Sequence, residues 1–247
     1  MCKHILPLIP NHELYCEPFF GGGAVFFAKP ISRIEIINDT NGEAINFYQV
    51  LKNNFKGLNR LVQQTLHSRK LYLDALVMYR HPHLFTKTKR AWAFWILTNQ
   101  GFATKIGTWG YDKSSGSVEN KVMNAKKRFT TDYTDRLEKV QIECRDAIEV
   151  IKSRDREGAF FYLDPPYFNS NCGHYEGYKE ADFKRLLDTL TTVKGLFMLS
   201  SYPSDLLTEY VNDYGWKQRN FTKSIGVTKY TSKRKIEMIS SNYDLLA

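Results

Sequence analysis

The chain has no pair of cysteines spaced to share a metal or a local disulfide. Cys2, Cys16, Cys144 and Cys172 are scattered over 247 residues and no C-x-x-C occurs. Zinc ribbons and disulfide-stapled scaffolds are therefore without support, and a reducing cytoplasm is the simplest setting. His81-Pro82-His83 offers two imidazoles, but proline separates them and no third ligand stands nearby, so no metal is expected. No apolar run is long enough to span a bilayer, and the early apolar stretch is cut by Pro7 and Pro10, so neither a membrane span nor a signal peptide is expected. Neither G-x-G-x-x-G nor G-x-x-x-x-G-K-[ST] is present, which leaves a dinucleotide or triphosphate cradle unsupported. Internal repeats, heptad arrays and low-complexity segments are missing too.

What remains is a basic globular chain. Its 43% hydrophobic content and 247 residues suffice for one large α/β domain with a smaller one inserted or appended. A net charge of +9 and a pI near 9.2 favour a polyanionic partner, most simply nucleic acid, although many basic proteins are merely soluble this way.

The most informative segment is Asp164-Pro165-Pro166-Tyr167, which follows the apolar run Ala159-Phe160-Phe161-Tyr162-Leu163. A buried strand ends there, and in open α/β sheets ligands bind beyond the carboxyl ends of strands. The Asp164 carboxylate and the Pro165 carbonyl can both accept from one exocyclic amino group, and the prolines carry no N–H to compete. Tyr167 can stack on a base that has left its helix. The plainer alternative is a strand followed by a Pro-Pro turn and a solvated Asp.

A second segment, Tyr15-Cys16-Glu17-Pro18-Phe19-Phe20-Gly21-Gly22-Gly23-Ala24-Val25-Phe26-Phe27, reads as a short strand, a glycine turn and an apolar helix. Consecutive glycines permit positive φ and close approach of a ligand to the backbone. Arg33-Ile34-Glu35-Ile36-Ile37-Asn38-Asp39 then reads as the neighbouring strand, with Asp39 at its tip. An acid there suits ribose hydroxyls, so the pair points to an adenosine-containing ligand; a simple Asn-Asp turn is the alternative.

Together these segments resemble the Dam-like (D12 class) DNA adenine N6-methyltransferases, from about residue 4 to Tyr243. Glu17-Pro18-Phe19-Phe20-Gly21-Gly22-Gly23 resembles the family's S-adenosylmethionine motif, Asn38-Asp39 its ribose-binding strand end, and Asp164-Pro165-Pro166-Tyr167 its catalytic motif. Cys144-Arg145-Asp146-Ala147 resembles the element whose acid meets the adenine amino group of the cofactor, with a surface Asp at a helix start as the alternative. The resemblance implies a Rossmann-like α/β sheet for residues 1–50 and 140–247, with a mostly helical target-recognition region at 51–139. It also implies methyl transfer from S-adenosylmethionine to the N6 amino group of a flipped adenine in double-stranded DNA. A cognate restriction endonuclease is an implied partner. Family members usually begin with an aromatic residue and Gly-Gly-Lys ahead of the stretch seen here as His4 to Pro10; this chain opens Met1-Cys2-Lys3, which implies weaker cofactor binding. A non-catalytic DNA-binding relative and a methyltransferase of cytosine N4 or RNA stay open as alternatives. Carbon-5 cytosine chemistry is unsupported, since no Pro-Cys pair occurs.

Three basic stretches are candidates for DNA contact. Lys105, Trp109, Tyr111 and Lys113 fall in the glycine-rich segment between Gln100 and Ser117, where the lysines could hold phosphates and the aromatics stack on distorted DNA. A loop packed by its own aromatics is the alternative. Lys126, Lys127 and Arg128 follow on a helix, and Lys223, Lys229, Lys233 and Arg234 lie in the acid-free segment from Lys217 to Lys235.

Overall fold

The computed structural model describes residues 2–102, 106–111, 117–168, 178–224 and 234–245, with the backbone alone at 117–119, 222–224 and 234–236. The chain runs α1 (Cys2–Ile5), β1 (Leu14–Glu17), α2 (Ala24–Ala28) and β2 (Ile34–Asn38). Six helices follow: α3 (Gly42–Asn53), α4 (Phe55–Gln64), α5 (Arg69–Arg80), α6 (Lys87–Gln100), α7 (Ser117–Lys127) and α8 (Asp132–Arg136). It continues through β3 (Gln141–Glu143), α9 (Ala147–Arg154), β4 (Ala159–Leu163), α10 (Glu180–Leu190), β5 (Leu196–Ser201), α11 (Asp205–Tyr214), β6 (Lys217–Ser224) and β7 (Arg234–Ser241). Residues 1–40 with 141–247 make one compact unit and residues 41–140 a second.

The first unit is a seven-stranded sheet in the order β3-β2-β1-β4-β5-β7-β6. Every pairing from β3 to β5 is parallel, and β7 runs antiparallel to both β5 and β6. Strands β1 and β4 are buried along their whole length, as apolar strands covered on both faces must be. Cys16, Ile36, Phe161, Phe197 and Leu199 meet Ile151, Phe183, Leu186 and Leu187 in one core. Connections lead outward from β1 to β2 and β3 on one side and from β4 to β5 on the other. The strand order therefore reverses between β1 and β4, which is where a ligand crevice opens in this class of sheet. This is the Rossmann-like α/β sheet expected from the sequence.

The second unit is helical. Asn41 caps α3, Ser68 caps α5 and Thr86 caps α6, each side chain accepting an otherwise orphaned backbone N–H. Its core is built from Leu51, Leu58, Val62, Tyr72, Ala91, Ile96 and Leu97. The expected boundary at residue 50 falls inside α3, and the reason is packing. Glu43 pairs with Arg90, and Asn46 donates to the Lys87 carbonyl at 3.0 Å, so α3 is fastened to α6. Residues 41–140 hold 17 Lys and Arg against 7 Asp and Glu, a net +10, whereas the remainder of the chain holds 18 against 19. No helix among the described residues is long and apolar enough to cross a membrane, and no cluster of His, Cys, Asp or Glu among them is arranged to hold a metal.

Candidate active site at the carboxyl edge of the sheet

Strand β1 ends in Glu17, a residue only 2% exposed. The Tyr15 hydroxyl, two residues earlier on the same strand face, donates to Glu17 Oε2 at 2.7 Å. Burial pushes Glu17 up to about 8; the nearby Asp164 adds to the rise, while the Tyr15 and Phe26 hydrogen bonds and Lys29 oppose it.

The chain then turns through Pro18 to Gly23 into α2. Gly21 and Gly23 have φ of 47° and 60°, the left-handed region that glycine adopts without strain. A Cβ at Gly23 would lie 2.4 Å from the Phe20 ring, whereas one at Gly22 would meet nothing within 4 Å. The turn is thus tight on its inner side and open at Gly22. Phe20 is buried, and its N–H donates to the Asn38 carbonyl at 2.9 Å.

At the end of β2, Asn38 acts as a clasp. Its amide donates to the carbonyls of Pro18 (2.9 Å) and Arg145 (3.0 Å) and accepts from the Arg145 N–H (2.9 Å), tying three loops together at a fully buried point. Next to it, buried Asp39 accepts from the Gly21 N–H at 2.8 Å. Asp146 caps α9 through the Ile148 N–H and pairs with Arg185 of α10, and Ala147 is buried behind it. Asp146 is thus a helix cap, and it stands at the same sheet edge as Asp39.

Strand β4 delivers Asp164 to the surface, with Pro165 buried and Pro166 half-buried. Tyr167 donates to Asp164 Oδ1 at 3.0 Å and shares a 3.1 Å hydrogen bond with Ser200 Oγ on β5. Its ring packs on Tyr202, centroids 4.2 Å apart and tilted by 45°. Burial first, and Asp164 second, hold the Tyr167 hydroxyl protonated well above the usual tyrosine range. The sequence assigned Tyr167 to stacking alone; its hydrogen bond to Asp164 and the roles of Ser200, Tyr202 and the Asn38 clasp were missed. Ser200-Ser201-Tyr202 closes a parallel strand, so the same strand-end rule that singled out Asp164 could have found it.

Tyr178 bears on what this edge could bind. Its ring meets Phe19 edge-on at 6.4 Å, and its hydroxyl is buried with no hydrogen-bond partner among the described residues. Burial raises its pKa, with Asp182 adding to the rise and Asp146 and Arg185 close enough to be felt. A buried hydroxyl with no partner among the described residues, an open glycine edge and acids at the tips of adjacent elements fit a ligand with apolar, hydroxyl and cationic parts, as S-adenosylmethionine has.

The expected DNA-contacting residues are divided between the two units. Trp109 and Tyr111 lie in the second unit, Trp109 packed with its indole nitrogen buried and Tyr111 54% exposed. Lys126 donates to the Gln63 carbonyl at 3.0 Å, a structural use, while Lys127 and Arg128 are exposed. Lys223 and Arg234 sit at the paired ends of β6 and β7 in the first unit. Lys105, Lys113, Lys229 and Lys233 lie outside the described residues, as does the 169–177 segment.

The profile of the D12 class N6 adenine-specific DNA methyltransferase family matches residues 1–225. The type II methyltransferase M1.LlaDCHI of Lactococcus lactis subsp. cremoris is 29% identical over 269 residues, covering 98% of this chain and 91% of that protein. The DNA N-6-adenine-methyltransferase of Escherichia phage P1 is 27% identical over 209 residues, covering 76% of this chain but 26% of that protein. Among solved structures, precorrin-6y C5,15-methyltransferase from Geobacter metallireducens aligns over 97% of this chain and 85% of its own at 9% identity, with a TM-score of 0.40, and the fold assignment rests on the strand order instead. With the family matched over most of its length, the chain belongs to the D12 class N6 adenine-specific DNA methyltransferases and is an S-adenosylmethionine-dependent enzyme acting on DNA.

Proposed function

We propose that Asp164 and the Pro165 carbonyl hold the adenine amino group, and that the Gly21–Gly23 turn, Asp39, Asp146 and Ala147 hold the methyl donor beside it. The observation that carries this reading is the chain of hydrogen bonds from Ser200 through Tyr167 to Asp164 at the point where the strand order reverses. It fixes an exposed carboxylate on a rigid strand end. S-adenosylmethionine, when bound, supplies a methyl group made electrophilic by its sulfonium.

The protein's own part is orientation. Two acceptors on one amino group aim its nitrogen and raise its electron density, and the Asp164 carboxylate stands where the proton lost from nitrogen can be taken up. Pro165 and Pro166 offer no N–H that would compete for the acceptors. Tyr167 anchors the carboxylate through its hydroxyl and, with Tyr202, gives an aromatic wall for the base. Glu17, Pro18, Phe19 and Phe20 shape the donor side.

An adenine inside a duplex cannot present its amino group to such an edge, so the target leaves the stack at a cost on the order of a few kcal/mol. The second unit, with its net +10, is the region suited to phosphate contact, which would offset that cost. Lys127 and Arg128 are among its exposed cations, and the basic ends of β6 and β7 in the first unit are further candidates for phosphate contact. The name of the Lactococcus relative, a type II methyltransferase, supports a cognate restriction endonuclease as partner, with both working on DNA in the cytoplasm.

The test is transfer of labelled methyl from S-adenosylmethionine to unmethylated duplex DNA, with the product base identified by mass. Asp164→Asn is expected to lower kcat by roughly 10²–10⁴-fold while changing donor affinity little. Wild-type turnover by this variant, or label on cytosine, would sink the assignment.

A further inference from the structure

In the second unit, four planar side chains form a pile. Trp109 is stacked with His67 (centroids 5.0 Å, interplanar angle 16°) and with Tyr111 (5.7 Å, 16°). The Arg69 guanidinium lies over both, 4.7 Å from the Trp109 ring centre and 5.7 Å from that of Tyr111. The pile is held from below. Gln100, fully buried at the end of α6, donates to the Leu66 carbonyl (2.8 Å) and accepts from the Ser68 N–H (3.3 Å), while its own carbonyl accepts from the Gly110 N–H (2.8 Å). Gly107 donates to the Tyr72 hydroxyl at 3.0 Å, and Gly101 bridges to Trp109. The α4–α5 corner and the loop bearing Trp109 are thus fastened to the same helix end.

This arrangement works against stability in two places. The indole N–H of Trp109 is buried with no partner among the described residues. Arg69 is the first residue of α5, where the helix dipole disfavours a cation, and no ion pair with a described residue compensates it; neighbouring Lys70 has Asp74. Yet Arg69 is exposed, beside Tyr111 at 54% exposure. Contact with a phosphate needs only a charge on a flexible stem. Clamping a guanidinium plane on aromatic rings sacrifices side-chain freedom and is useful where a flat, two-pronged donor must meet two acceptors in a fixed plane.

We propose that Arg69 is a specificity-determining residue: held flat on Trp109 and Tyr111, it donates paired N–H groups to O6 and N7 of a guanine within the recognition site. This rests on the second unit being the DNA-contacting one. The experiment uses the full chain and a pool of duplexes randomised around a central adenine, with methylated products sequenced for wild type, Arg69→Lys and Arg69→Gln. Thermal melting confirms that each variant is folded.

The wild type is expected to require guanine at one position, and both variants to lose that preference by roughly 5- to 150-fold while other positions keep theirs. The lysine variant keeps the wild-type salt dependence of binding and still fails to restore the preference. A uniform loss rescued by lysine, with the slope of log affinity against log salt reduced by about one in the glutamine variant, would mean a phosphate contact and overturn the proposal. An unchanged preference, or a wild-type site without guanine, would overturn it as well. Absence of any adenine methylation by the wild type would instead strike the proposed function itself.

Discussion

Replacing Glu17 by glutamine isolates one buried titration. The Glu17 carboxyl has an ordinary value of 4.5 and is pushed up to about 8, chiefly by burial. Between those two values the folded chain holds a proton that the unfolded chain has released, so stability falls as pH rises through that window. Each tenfold change in proton affinity between the two states is worth roughly 1.4 kcal/mol, so the full effect is about 5 kcal/mol between pH 4 and pH 8.5, and about 3 kcal/mol of it is already lost at pH 7. Glutamine has nearly the same shape, can still meet the Tyr15 hydroxyl, and does not titrate. The assay is urea unfolding of both proteins at pH 5.5, 6.5, 7.5 and 8.5, with the stability difference taken at each pH so that all other titrations cancel. The variant is expected to gain on the wild type by roughly 1.4 kcal/mol per pH unit up to about pH 8 and then to level off. A constant difference across the series would refute the reasoning, because Glu17 would then be titrating like a solvated carboxylate despite its burial.

Asn38→Ala removes three hydrogen bonds of 2.9–3.0 Å at a fully buried point and leaves two carbonyls and one N–H without partners. A loss of about 2–4 kcal/mol in denaturant unfolding is expected, with weaker donor binding by calorimetry, and a loss under about 1 kcal/mol would show that the clasp is dispensable. The glycine turn gives a paired comparison. Gly23→Ala faces both a left-handed φ and the Phe20 ring, so it should cost at least about 1–2 kcal/mol. Gly22→Ala meets nothing, should change stability by no more than about 0.5 kcal/mol, and yet should weaken donor binding where the open edge is the contact; unaltered affinity would remove Gly22 from the donor site.

The parts of the site that were legible in the sequence are those fixed by neighbours in the chain. The apolar run Ala159–Leu163 ahead of Asp-Pro-Pro and the β-branched run ahead of Asn38-Asp39 read as buried strands whose polar ends emerge at a sheet edge, and so Asp164, Asp39 and the Gly21–Gly23 turn could each be placed at a strand end. Helix limits were readable for the same reason: Ser204 caps α11, and Gly215 ends it with a φ of 67°. What was not legible depends on partners far away in sequence. Asn38 reaches Pro18 across 20 residues and Arg145 across 107, and Tyr167 reaches Ser200 across 33. Whether Trp109 stacks on DNA or packs within its own loop stayed open in the sequence, because nothing local shows that His67 and Arg69 lie against it. Glu17 is the exception: Tyr15 lies two residues away on a strand, on the same face, so their hydrogen bond could have been anticipated from spacing alone.

The distribution of charge over the two units fits the proposed division between chemistry and DNA capture. Asp39, Asp146 and Asp164 stand at the carboxyl edge of the sheet, while Glu17 beneath them keeps its proton to about pH 8. An edge lined by acids attracts a cationic sulfonium and repels phosphate, so on the proposed reading it selects the donor and cannot by itself hold a polyanion. The first unit as a whole is nearly neutral, its basic residues offset by as many acids, so its net charge contributes little to the counterion release that strengthens affinity for duplex DNA. On the proposed reading most of that affinity comes from the helical unit, whose net +10 exceeds the charge of the entire chain, with the basic ends of β6 and β7 adding to it. On that reading, chemistry and substrate capture make opposite electrostatic demands, and dividing them between two units satisfies both.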